Sequence, residues 1–201
     1  FIIGGTRMSA FGLMDMRFAK FKADETEEAM PTYDAPLSLG PTATANMTVT
    51  TATAEDYGDN VLQVKISEFV SASIPAELND CPKEALAATV GATYDAEKKE
   101  IAYSGDDSAP FGGLSYIRNL KRKGSSATIY EAHFYTKVQG AIGNENAQTK
   151  GSSITFQHAT INFTAYQPLM QGCKWHYTAE FDTLAGARAY IDEKFGVTAG
   201  G

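Results

Sequence analysis

The sequence predicts a mainly β protein, an antiparallel β-sandwich or barrel with a short flanking helix and a second helix at the C-terminus. Three observations carry the prediction. Residues 45–166 form a series of segments in which polar and apolar residues alternate, interrupted by one short helical stretch. Residues 173–181 alternate strictly, with Cys173, Trp175, Tyr177, Ala179 and Phe181 on one parity and Lys174, His176, Thr178 and Glu180 on the other. Helical spacing of apolar residues is confined to the stretch before Gly91 and the stretch before Gly196. Period two places successive side chains on opposite faces of a strand, so each alternating run asks for cover on one face only.

The chain divides into an N-terminal segment with a loop or arm (1–44) and a β domain (45–201). Phe1 is not an initiator and Met8-Ser9-Ala10 resembles an ordinary start, so residues 1–7 read as leader or appended sequence. Residues 8–21 are mixed, with Phe11, Leu13 and Phe18 suggesting partial burial. Asp24, Glu25, Glu27 and Glu28 then form an acidic cluster followed by Pro31, Pro36 and Pro41. Proline lacks a ladder donor, so this stretch is expected to be a surface loop or an inter-subunit arm, outside the main sheet.

Residues 46–53, rich in Thr and Val, read as a strand. In 61–70, Leu62, Val64, Ile66 and Val70 share one face and Gln63, Lys65 and Ser67 the other. The short helix is expected to start at an Asp80 cap, with Pro82 in its first turn, Leu86 and Val90 on one face and Gly91 ending it. Residues 100–104 form a short strand. Residues 113–121 and 127–138 form a hairpin through the Lys121-Arg122-Lys123-Gly124 turn, with Tyr130, Ala132, Phe134 and Val138 inward and Glu131, His133 and Lys137 outward.

In 152–166 the parity switches between Ile154/Phe156 and Ile161/Phe163/Ala165, which requires a bulge or bend near residues 158–160. The final helix, 183–195, is capped by Asp182 or Thr183, carries Leu184, Ala187, Ile191 and Phe195 on one stripe, and ends at Gly196. Shared parities place Leu62, Val64, Ile66, Phe134, Trp175, Tyr177 and Phe181 in the core.

A length of 201 residues suffices for one well-packed domain, and 43% hydrophobic with 20% charged residues is ordinary for a globular chain. The formal charge of -7 argues against a protein that grips nucleic-acid phosphates. No apolar run is long enough to span a bilayer as a helix, and no membrane partner is expected. Cys81 and Cys173 lack a CxxC partner and read as reduced thiols, with a disulfide between them left open.

Motifs for chemistry are absent. The three histidines, His133, His158 and His176, have no HxxH or HExxH spacing, and there is no GxSxG, P-loop or GxGxxG pattern. No pair of carboxylates is singled out by spacing. Catalytic, metal and cofactor residues are therefore expected to be none, and the chain is read as a non-enzyme. Lys121, Arg122 and Lys123 read as a solubilising turn or a subunit contact at a hairpin tip.

In its order of elements the chain resembles the major tail protein (tail tube protein) family of long-tailed bacteriophages. The likeness is best over residues 66–166. It rests on the helix region 76–91 leading into Ala92-Thr93-Tyr94-Asp95, the Ala109-Pro110-Phe111-Gly112 turn, and the aromatic strand 129–138. It continues through Thr149-Lys150-Gly151-Ser152-Ser153-Ile154-Thr155-Phe156-Gln157 and through Phe181-Asp182-Thr183 with the helix closing on Lys194-Phe195-Gly196. The resemblance implies a structural virion protein without cofactor, whose copies form hexameric rings that stack into a tail tube. Its partners would be other copies of itself, other tail proteins at the tube ends, and DNA passing through a neutral to acidic lumen without specific binding. It implies assembly in the bacterial cytoplasm and residence in the virion tail. Two alternatives stand beside it: a stand-alone β-sandwich binding module of carbohydrate-binding or adhesin type, and a tube protein of a contractile injection system.

Overall fold

The structure is a computed structural model that describes residues 8–59, 61–143 and 159–197. It is mainly antiparallel β, as the alternation predicts. In chain order the elements are β1 (Met8–Lys20), β2 (Leu37–Ser38), β3 (Thr42–Ala45), β4 (Thr48–Gly58), β5 (Val61–Leu78) and α1 (Lys83–Val90). There follow β6 (Thr93–Asp95), β7 (Glu100–Ala102), β8 (Phe111–Arg122), β9 (Thr128–Ile142), β10 (Ala159–Ala165), β11 (His176–Phe181) and α2 (Leu184–Phe195). Nine strands make one sheet in the order β2-β1-β8-β9-β10-β5-β3, with β11 added to β9 and β4 added to β5; β6 and β7 form a separate two-stranded ribbon. The far edge of β9 is shared, since its residues 130–135 pair with β11 and its residues 138–142 with β10.

The sheet is covered on both faces. On one side it curls around Met16, Phe18, Leu39, Ile74, Leu78, Leu114, Tyr135, Ile161 and Phe163, all essentially inaccessible, with Ala85 of α1 closing the cluster. On the other side, Ile117, Ala132 and Phe134 pack against Ala187, Ile191 and Phe195 of α2 and against Tyr33. This double cover corrects one expectation: His133 is buried at 5% exposure and Lys137 is largely covered, although both fall on the polar parity of β9. Side chains supply the cover: His133 lies against the Tyr116 and His176 rings, and Lys137 lies over Phe111 with its ammonium on Glu25.

Both helices end as expected, with Gly91 and Gly196 in the left-handed region. The start of α1 differs. Pro82, not Asp80, occupies the cap position and no side chain caps the helix. At α2, Thr183 is the cap and its hydroxyl accepts from the Gly186 N–H at 3.1 Å. Replacing Thr183 with Ala is expected to cost about 1 kcal/mol, readable as a lowered midpoint in thermal unfolding.

The mixed N-terminal stretch is in fact a long strand. Its pairing with β8 shifts between Ala10 and Gly12 and again between Met14 and Arg17, which erases the simple alternation. Asp15, at φ 57, sits in the second irregularity. Its carboxylate accepts from Arg17 Nε (3.0 Å) and Nη2 (2.6 Å) and from Arg188 Nε (2.9 Å), while Arg17 Nη1 reaches Asp192 at 2.7 Å. Burial alone would raise the Asp15 carboxyl pKa; the hydrogen bonds from Arg17 and Arg188 prevail and hold it below the usual range. The cluster fastens β1 to α2.

The 24–41 stretch is a strap on the sheet of its own chain. Tyr33 and Leu39 enter the two core clusters, the Tyr33 hydroxyl donates to the Thr136 carbonyl at 2.7 Å, and Leu37–Ser38 pair with β1. The surface-loop reading holds for the exposed Asp24, Glu27, Glu28 and Pro41, whereas Pro31 is buried and Pro36 half-buried. The expectation of a segment wholly outside the main sheet is corrected, because apolar residues between the prolines had a core to enter.

The family-like stretch 149–157 and the first half of the parity switch, with His158, lie outside the described residues, as do residues 1–7. Ile161, Phe163 and Ala165 are buried as the second parity predicts.

Candidate assembly surface

The largest departure from the sequence reading lies in β4 and β5. Leu62, Val64 and Ile66, expected in the core, are 44%, 50% and 52% exposed. The pairing explains why. Only residues 72–78 of β5 meet β10, so among the described strands residues 61–70 pair with β4 alone and continue past the body of the sheet. At about 3.3 Å per residue this two-stranded ribbon runs roughly 30 Å.

The ribbon is two-faced. Ala54 lies opposite Ile66, Asp56 opposite Val64 and Ala52 opposite Glu68, giving one face an aliphatic centre with a carboxylate toward each end. The other face is polar, with Thr53 opposite Ser67 and Glu55 opposite Lys65. Lys65 Nζ binds Glu55 Oε1 at 2.7 Å, and the Tyr57 hydroxyl donates to Glu55 Oε2 at 2.7 Å. Val49, Tyr57, Val61 and Val70 are further exposed hydrophobic residues on the ribbon.

At the root of the ribbon an aromatic series leads into the sheet. Phe69 stacks on Trp175 (4.4 Å between ring centroids, 12° between planes), and Trp175 neighbours His176 at 5.2 Å. His176 stacks on Tyr135 at 4.3 Å and meets His133 with its Nε2 3.1 Å from His133 Nδ1. His133 Nε2 contacts Glu131 Oε2 at 2.8 Å, and Arg118 Nε lies 3.5 Å from the same oxygen. The two histidines that the sequence placed on outward parities are thus brought together, and His158 is not among the described residues. Trp175, Tyr177 and Phe181 are half-buried, whereas Phe134 is fully buried as expected.

An open cavity of about 560 Å³ lies beside this series, walled by β1 residues 10–13 and by 43–47, with Tyr116, Arg118, His133 and Tyr135 also lining it. The Tyr116 and Tyr135 hydroxyls are 2.9 Å apart. Among the described residues no group of three or more His, Cys, Asp or Glu side chains is arranged to hold a metal. Cys81 and Cys173 are free thiols. Burial foremost, with Asp80 beside it, pushes Cys81 up to about 11, and burial also raises Cys173, so neither is poised as a nucleophile.

The other residues singled out in the sequence are dispersed. Lys121, Arg122 and Lys123 are exposed at the β8–β9 turn, with Lys121 and Arg122 paired to Ser9 and Met8 of β1. Within the strap, Glu25 differs from its acidic neighbours. Its side chain is 6% exposed, with Oε2 2.7 Å from Lys137 Nζ, and Oε1 accepts from the Leu169 N–H. Nothing in the local sequence distinguishes Glu25 from the solvated carboxylates beside it, because its cation, Lys137, lies more than a hundred residues away in the chain.

Fold and surface together define a mainly β protein with a two-stranded ribbon whose apolar side chains stand exposed among the described residues. No family model matches the chain, and no curated protein matches it in sequence. Among the described residues no helix is long and apolar enough to cross a membrane.

Proposed function

We propose that this chain is a structural subunit that polymerises as stacked, hexameric rings into a tube of the phage-tail kind, a channel for genome ejection. The observation that carries the reading is the uncovered ribbon. A two-stranded hairpin is at best marginally stable alone in water, and three or more strands or a packed face are needed to hold it. A strand patterned to bury Val64 and Ile66, held out where the described residues leave both half exposed, is explained by cover from a neighbouring copy. A head-to-tail ring repeats one such contact until it closes, leaving no ribbon exposed.

The rival reading, a β-sandwich binding module, calls for an aromatic platform open to ligand. Trp175 is instead engaged by Phe69 on the ribbon. The described surface offers aliphatic side chains along a projecting strand pair, which suit a protein neighbour better than a sugar ring.

Negative-stain microscopy and sedimentation of the purified chain test the proposal. Rings or tubes are expected; a strictly monomeric species at high concentration would sink it. With a formal charge of -7, titration against duplex DNA at low salt is expected to show no appreciable binding by anisotropy. Tight binding that weakens steeply with salt would require a basic surface and contradict the lumen reading.

A further inference from the structure

We propose that His133 and His176 form a proton-operated latch at the root of the ribbon, releasing Phe69 from Trp175 when the pair takes up a second proton. The geometry is that of two rings side by side in nearly one plane: the interplanar angle is 17°, the centroids are 5.3 Å apart, and the facing nitrogens are 3.1 Å apart. A hydrogen bond between two imidazole nitrogens needs one donor and one acceptor. With both rings neutral, His133 Nε2–H donates to Glu131 and His133 Nδ1 accepts from His176 Nε2–H.

One added proton is accommodated. It enters at His176 Nδ1 while the proton between the rings passes from His176 Nε2 to His133 Nδ1, so that His133 becomes a double donor, to Glu131 and to the bare His176 Nε2. A second proton is not accommodated, because two imidazolium N–H groups would then point at each other at hydrogen-bond distance. His176 is the ring that must leave, since His133 is buried and held by Glu131. His176 lies against Tyr135 and Trp175, and Trp175 holds Phe69, so its departure unseats the stack at the ribbon's base.

The groups around the pair come from four strands. From β8 come the Tyr116 hydroxyl and Arg118, which draws on the same Glu131 oxygen. From β9 come Glu131 and Tyr135; from β11 comes Glu180, the cross-strand partner of Glu131, with Lys174 just before the strand. β5 contributes the uncharged Phe69. Burial is the main cause that lowers both histidine pKa values; for His176 the neighbouring His133 adds to it, Glu131 opposes it, and the value falls to about 4. The folded pKa values lie below the unfolded one, so the contribution to stability is full above the ordinary histidine range, about 6.5. It is lost as pH falls through that range toward 4.

The latch acts on the ribbon that the ring proposal also uses, but its test needs no assembly. Trp175 is the only tryptophan, so its emission reports this one place. Acrylamide quenching of Trp175 is followed from pH 7.5 to 3.5 in dilute unassembled protein, with far-UV circular dichroism in parallel. The expected result is a severalfold rise in quenching between about pH 5 and 3.5 while the β signal holds. His176→Gln, which cannot take the proton, is expected to stay flat. His133→Gln removes the like-charged neighbour and is expected to move any remaining His176 response to higher pH. Quenching that stays flat in the native protein, that rises equally in a folded His176→Gln, or that changes only together with loss of the β signal overturns the latch. Each of these outcomes leaves the ring proposal to be judged by microscopy alone.

Discussion

Replacing Val64 and Ile66 together with lysine is expected to abolish assembly while leaving the subunit folded. Fully burying an aliphatic side chain of this size is worth about 1.5–3 kcal/mol, and Val64 and Ile66 are already half covered, so losing both at an interface removes about 1.5–3 kcal/mol. Each 1.4 kcal/mol is a factor of ten, so association weakens by roughly tenfold to a hundredfold at every contact around a ring. A lysine ammonium forced into the same apolar contact adds to the loss unless it finds a carboxylate. In the isolated subunit both positions are half exposed on a ribbon that carries no other strand, so unfolding should shift by no more than about 0.5 kcal/mol. Sedimentation and thermal denaturation of the same preparation separate the two effects. Rings that persist in the double variant would mean that the ribbon face is not the contact.

The converse substitution is Phe134→Ala, expected to cost about 3–5 kcal/mol of stability. Phe134 is inaccessible and meets Tyr33 edge-on at 5.7 Å and Phe195 at 5.0 Å, while Tyr33 and Phe195 meet each other at 5.5 Å. These three rings join the strap, the sheet and α2. Removing the central one leaves a cavity bounded by three separate segments that cannot all close on it. For a domain of this size about 2–4 °C of melting temperature is lost per kcal/mol, so a drop of roughly 10 °C is expected in a thermal scan. A drop of only a degree or two would show that the strap and α2 are not seated on the sheet as described.

These two positions lie on strands that look alike in sequence. Leu62, Val64 and Ile66 alternate as regularly as Ala132 and Phe134. Alternation was sufficient to identify both strands but not which faces became core, since Val64 and Ile66 stand exposed and Val138 joins the opposite cluster from Phe134. Helical spacing and glycine positions likewise sufficed for the α2 stripe of Ala187, Ile191 and Phe195, for a cap at Asp182 or Thr183, of which the structure selects Thr183, and for both glycine helix ends, since all of these depend on neighbours within a turn or two of chain. Alternation states that a face needs cover; it does not state what provides it. β10 reaches β5 only as far as Ala72, and that limit leaves Ile66 outside while Ile74 is inside. The same kind of long-range placement paired Glu25 with Lys137, brought His133 against His176, and filled both sides of β9 so that its polar parity became interior. Local periodicity thus determined where the chain is strand and where it is helix. The long-range sheet order decided which faces became core, and it left the ribbon's apolar face exposed because, among the described residues, only β4 pairs with this part of β5.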